Sequence, residues 1–259
     1  MLMMAILLWL VVALFGSPLT WNPLQLGAMA LSGLLGIFIG DTANFSAINR
    51  LGPRRAGVLF ATNAVFSAVL GYLIFDERMS ALSFLGSSMT VSGVMIAILW
   101  GQPKSDEHEW KNSRGHPGIG VVLGLLAALS QARGALLAKP VISAGMDPVF
   151  GSAIRVTVAC LALYAVLWAR FPAAKVHRPA TRRVLGQTLA SGVIGMGVGM
   201  TLLLLALEHG DVGQVAVLSA VTPILILPLL WYHLKRPPTK TAWIGAILTV
   251  MGTALIVLR

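Results

Sequence analysis

The chain has 259 residues, 57% of them hydrophobic and 11% charged, with a mean hydropathy of +0.83, which is more apolar surface than one soluble domain of this length can bury. A formal net charge of +10 would suggest nucleic acid in a soluble protein. Here the Lys and Arg residues fall in short gaps between apolar runs, where they act as topology signals and headgroup anchors, so the partner they imply is a lipid bilayer and not a nucleic acid.

Residues 1–15 are apolar from the start, with no basic segment before them and no small-residue cleavage site. They read as the later part of a spanning helix and not as a removable signal peptide. Further spans are predicted at 24–49, 56–75, 81–100, 118–138, 148–170, 184–207, 213–233 and 241–258; most reach the roughly 17–25 residues needed to cross about 30 Å of hydrocarbon. The gaps carry helix punctuation: Gly16, Pro18 and Pro23, then Gly52 and Pro53, Pro172 and Pro179, Pro237 and Pro238. The one mixed-charge gap, 101–117, is the expected boundary between domains 1–100 and 118–259. Four gaps, around Arg50, Lys104, Arg170 and Lys235, hold 14 basic residues and define a face X. The opposite face, Y, holds three, Arg78, Lys139 and Arg259, so X is expected in the cytoplasm. Cys160 lies in an apolar run and excludes a disulfide within the chain.

The chain repeats itself. With a constant offset of 159, residues 33–99 lie over 192–258 without a gap, and the matches include Gly33/Gly192, Gly36/Gly195, Gly40/Gly199, Thr42/Thr201, Gly86/Gly245, Thr90/Thr249 and Gly93/Gly252. Both copies share the small-xxx-small step that lets membrane helices approach closely. Four spans precede the linker and five follow it. That is the pattern of a five-plus-five plan lacking its first helix and the start of its second.

The fourth helix of the first copy closes as VFSAVLGYLIFDERMS, residues 65–80, and its counterpart as SAVTPILILPLLWYHLKRPPT, residues 219–239. This resembles the ten-helix, EamA-like members of the drug/metabolite transporter superfamily, whose fourth helix ends in Gly-Glu-Arg-Leu and carries a proline. Pro223 matches the proline, with Ala64 in its place in the first copy; Asp76 replaces the glycine before Glu77 and Arg78; Lys235, Arg236 and Pro237 replace the triplet in the second copy. Arg155 fits the arginine that often opens the second helix of such a repeat. The resemblance implies an all-α integral membrane protein of two inverted repeats around a central cavity, in the bacterial inner membrane, transporting or exporting small metabolites or drugs. Ten-helix members keep the C-terminus inside, which is opposite to what the charge count implies for Arg259.

Ionisable groups within spans are costly, about 2.5–3.5 kcal/mol each on insertion scales, unless they face a cavity or a partner. Asp41, Arg133 and Arg155 are such groups. Asp41 lies roughly 7 Å past the middle of its helix at about 1.5 Å per residue, on a stripe with Asn44 and flanked by Thr42. In the second copy its register partners are Met200 and Leu203. Asp41, Thr42, Asn44, Asn63, Arg133 and Thr222 are therefore the candidate substrate or proton site, with protons or a cationic solute as the species bound at Asp41. Glu77, Arg78, Arg155, Glu208 and Pro223 are candidate structural or gating residues. Axial position places Arg133 and Arg155 toward face Y, away from Asp41, and Glu208 beside Arg133. Lys139, His233, Lys235 and Arg236 can snorkel and carry no assigned function. Asn63 and Thr222 also fit a packing role beside the proline.

No H-E-x-x-H, G-x-S-x-G, P-loop or dinucleotide fingerprint is present, so no cofactor is implied and transport would be driven by a gradient. The alternatives are an intramembrane lipid-modifying enzyme using His209 or His233, or a membrane protein with no transport activity.

Overall fold

The computed structural model describes residues 1–15, 22–77, 80–100, 116–169, 181–221, 224–225 and 239–257. They form α1 (Leu2–Phe15), α2 (Pro23–Ser32), a π-helical segment (Gly33–Ile39), α3 (Gly40–Leu51), α4 (Pro53–Ala61), α5 (Asn63–Phe75), α6 (Ala81–Trp100), α7 (Pro117–Ser143), α8 (Pro148–Trp168), α9 (Arg182–Gly192), a second π-helical segment (Val193–Gly199), α10 (Met200–His209), α11 (Val212–Ser219) and α12 (Lys240–Val257). There is no strand among the described residues. Among the described residues, five helical stretches are long and apolar enough to cross a membrane, and three shorter apolar helices lie at Leu2–Leu14, Ala81–Ala97 and Lys240–Ile256. The span expected at 213–233 is described only at Val212–Ser219 and residues 220–221 and 224–225.

Two expected spans are not plain α-helices. That of 24–49 runs α2, π segment, α3, and that of 184–207 runs α9, π segment, α10. The π turns recur in both copies, the second starting one residue later than the offset of 159 predicts. The helix expected to end at 138 runs through Pro140 to Ser143, which puts Lys139 inside a helix and not past its end.

The chain forms two compact units, Met1–Ile39 with Arg133–Gly210, and Gly40–Ala132 with Asp211–Arg259. Each draws on both halves of the sequence. In the first unit, Met4, Ala5, Leu8 and Val12 line one face of α1 and bury against Phe150, Ala153, Val156 and Ala159 of α8 and Ile37 of the π segment. Trp9 anchors this packing: its indole N–H donates to the Thr157 hydroxyl at 2.9 Å, and its ring meets Phe150 edge-on with centroids 5.7 Å apart, the geometry that aromatic quadrupoles favour. Glycines set the closest approaches. A Cβ on Gly33 would lie 2.5 Å from the Arg155 carbonyl oxygen, and one on Gly134 would lie 2.8 Å from the Gly36 Cα, while the Ser32 hydroxyl donates to the Gly134 carbonyl at 2.5 Å.

In the second unit, α6 and α12 pack backbone to backbone through the repeated glycines. A Cβ on Gly86 would meet the Gly252 carbonyl at 2.7 Å, one on Gly252 would meet the Gly86 carbonyl at 2.5 Å, and a Cβ on either Gly93 or Gly245 would meet the other's carbonyl at 2.6 Å. The first glycine of each copy thus meets the last of the other, and Thr90 and Thr249 lie fully buried between them. This reciprocal pairing is what two antiparallel copies of one motif produce around a pseudo-two-fold axis. Lipid supplies no hydrophobic drive to join helices, so such close van der Waals packing is what holds the pair.

The helix of 53–75 is broken at Thr62, whose hydroxyl donates to the Leu59 carbonyl at 2.5 Å; this side-chain bond competes with the helical ladder where no proline does. In register with it, α11 ends in a turn at Ala220–Val221.

Candidate functional site

Asp41 occupies the first turn of α3, directly after the π segment. The inward face of α3 is made by Gly40, Ala43 and Ala47, all buried. Asp41 and Asn44 flank that face and are half-buried, whereas Thr42 is exposed. The structure therefore brings Asp41 and Asn44 together on one edge of the buried stripe and turns Thr42 outward. Asp41 is not an isolated charge, since it takes part in a polar contact. In the second copy the same helical position is apolar: Met200 and Leu203 are half-buried, and Thr201 donates to the Gly197 carbonyl of the π segment at 2.8 Å.

Asn63 is buried at the start of α5, where its side-chain oxygen accepts from the Ser67 hydroxyl at 3.2 Å. Thr222, Pro223, Arg78 and His233 lie outside the described residues. Arg133 and Glu208, expected side by side, are both exposed. Arg155 is wholly buried in α8, among Ser152, Ala153, Val156 and Ala159; it too makes a polar contact, and its backbone seats Gly33. His209 is exposed, with Nδ1 3.2 Å from the Leu205 carbonyl oxygen.

Glu77 has a defined structural partner. Asp76 ends α5 in the left-handed conformation, φ 52° and ψ 33°, which is the conformation glycine adopts without strain at a helix C-terminus. This is the physical reason the resemblance expects glycine there. The turn delivers the Glu77 carboxylate over Gly71, where any Cβ would collide with it, and onto the Val212 N–H at the start of α11, at 3.0 and 3.2 Å. An acidic group there satisfies an otherwise unpaired amide and complements the positive end of the helix dipole.

Lys139, to which the sequence assigned no role, does the converse at the end of α10. Its ammonium donates to the Leu207 and Gly210 carbonyls, both at 2.7 Å, the charge a helix C-terminus favours. The signal that could have found it is the helix end itself: the carbonyls at 207–210 need donors, and a lysine within a span needs acceptors.

The profile of the EamA-like transporter family matches residues 1–99 and 118–258. The chain belongs to the EamA-like transporter family. It is 23% identical over 230 residues to an uncharacterized transporter of Synechocystis sp., a match that covers 88% of this chain and 64% of the relative, so the chain spans less than two thirds of that protein's length. A solved crystal structure shares the fold with a TM-score of 0.71 at 18% identity, covering 99% of this EamA-like chain and 94% of the other. Membership in this family, with its apolar helices of spanning length, makes the chain an integral membrane protein.

Proposed function

We propose that this protein is a secondary transporter that exports small metabolites by alternating access between its two repeats, with Asp41 and Asn44 receiving the solute or a coupling proton. The observation that carries the reading is the half-buried Asp41 and Asn44 pair within a spanning helix, immediately after a π segment and matched by Met200 and Leu203 in the other copy. Packing glycines are repeated because both halves need the same scaffold; a polar pair present once has to serve something other than the scaffold. π turns recur at functional sites because the widened turn frees backbone groups and redirects side chains. Inverted repeats with their sites near interrupted helices are the usual build of secondary transporters.

Proteoliposomes tested against amino acids, sugars and cationic drugs at several pH values provide the test. Asp41→Asn keeps the shape of the side chain and removes its ability to exchange a proton or pair with a cation. The expected result is a folded protein whose flux no longer responds to pH, or whose affinity for cationic solutes falls at least tenfold. A variant with the parent's pH profile and affinity would make Asp41 part of the scaffold.

A further inference from the structure

The motif Ser-Gly-x-x-Gly-x-x-x-Gly occurs twice, as Ser32, Gly33, Gly36 and Gly40 and again as Ser191, Gly192, Gly195 and Gly199. In the first copy it seats another helix. Ser32, Gly33 and Gly36 are buried. A Cβ on Gly134 of α7 would lie 2.8 Å from the Gly36 Cα, and the Ser32 hydroxyl donates to the Gly134 carbonyl at 2.5 Å. The seat therefore needs two things: glycine on both helices, so that the backbones touch, and a hydroxyl for the carbonyl that glycine leaves bare.

In the second copy the same motif keeps one of its two neighbours. A Cβ on Gly192 would make ordinary contact with Met4 of α1, at 3.4 Å, and Val193, Met196 and Met200 pack beside it. This matches Gly33, which touches Arg155 of α8. Among the described residues nothing stands where α7 stands in the first copy. Ser191, Gly195 and Gly199 are all exposed. A Cβ on Gly195 would meet no atom within 4 Å, and one on Gly199 would meet the Ile194 carbonyl of its own helix, at 3.3 Å. Only 11% of the apolar window of Val184–His209 is buried.

We propose that this face is where two copies of the chain join, the helix of 182–209 in one copy crossing its equivalent in the other at Gly195. A second copy meets both requirements of the seat at once, since it brings glycine to the crossing and the Ser191 hydroxyl to the bared carbonyls. The molecule already pairs a repeated motif with itself in this way: Gly86 meets Gly252 and Gly93 meets Gly245, with Thr90 and Thr249 buried between them. A two-fold axis along the membrane normal presents the same patch on both copies and closes as a dimer. Ile194 and Val198, 69% and 53% exposed, flank the crossing and pack across it. Lipid gives no hydrophobic drive to join helices, so this close packing and the serine hydrogen bonds hold the dimer.

Single-molecule photobleaching of the fluorescently tagged chain in liposomes tests the dimer without any solute, so its failure and failure of the transporter reading are distinguishable. The parent should bleach in two steps, with a dimer fraction that falls as lipid dilutes the protein. Gly195→Ile should cut that fraction at least tenfold while leaving the Tm within a few degrees, because the single chain has open space at that position. Gly134→Ile, the same change in the occupied seat, should abolish folding. Ser191→Ala should weaken dimerisation by about threefold. The proposal is refuted if the parent bleaches in one step at every density, or if Gly195→Ile leaves the dimer fraction within twofold of the parent. It is also refuted if Gly195→Ile unfolds the protein as Gly134→Ile does, since the face would then be covered within one copy. A parent that stays monomeric while Ser191→Cys resists a membrane-permeant maleimide would assign the face to a different helix and refute the dimer as well.

Discussion

The turn Leu51–Gly52–Pro53 and the turn Gly210–Asp211–Val212 occupy the same place in the two copies, yet they are held in different ways. In the first, the geometry is written into the local chain: Gly52 takes φ 79°, its N–H donates to the Ile48 carbonyl at 2.8 Å, and Pro53 starts α4 with its φ fixed by the ring. In the second, no residue of the turn is conformationally special, and the backbone is held by Lys139 and Glu77. Covalent restraint acts in every state of the protein, whereas side-chain tethers can be released. The same division runs through the rest of the molecule. The glycines of α6 and α12 are shared and pair reciprocally, while Asp41 and Asn44 are replaced by Met200 and Leu203 at the same register of the other copy. The copies agree in the glycines that build the scaffold and differ in the polar and charged side chains they carry.

Breaking the shared part should have the largest effect. A Cβ on Gly252 already reaches within 2.5 Å of the Gly86 carbonyl, so Gly252→Val must force α6 and α12 apart. The loss should be about 3 kcal/mol or more, since overpacking against backbone has no side chain to move aside. It would be read as lost monodisperse protein in detergent or a strongly lowered Tm. If Gly252→Val purifies with the parent's Tm, the reciprocal helix pairing is wrong.

Making the copies alike at a divergent position should have an intermediate effect, on function and not on folding. Asn44→Leu installs the residue of the second copy on the edge of the α3 stripe. It should leave the Tm within a few degrees of the parent and lower proteoliposome flux about tenfold; flux equal to the parent's would remove Asn44 from the site. The smallest effect should come from Asp76→Gly, which restores the residue the left-handed backbone at φ 52° favours. It should stabilise the protein by about 1 kcal/mol, the usual cost of a non-glycine residue in that conformation, seen as a rise in Tm. A fall in Tm would mean that the Asp76 side chain contributes more than its backbone conformation costs.

Much of the helix layout was legible in the chain because lipid imposes it. Apolar runs of spanning length, separated by Gly, Pro and basic residues, have few alternatives in a bilayer, and the predicted ends at Ala81, Pro148 and Trp100 fall where the helices begin and end. The repeat was legible for the same reason: close helix packing needs glycine at fixed intervals, and Gly86, Gly93, Gly245 and Gly252 carry that interval in both halves. The π segments were not, because a widened turn depends on what packs beside it, and Gly33 and Gly36 accommodate it against backbones of α8 and α7 that come more than 90 residues later. Of the candidate site, the residue types and the shared edge of Asp41 and Asn44 could be read from sequence, but the exposure of Thr42, Arg133 and Glu208 could not, since a stripe's rotation is set by its neighbours. Lys139 and Glu77 show the limit most clearly. Sequence determined that each sits near the end of an apolar run, where a charge is tolerable. Only the tertiary structure decided what each one holds, because an amide or carbonyl at a helix end becomes a partner only when folding carries a distant charge to it.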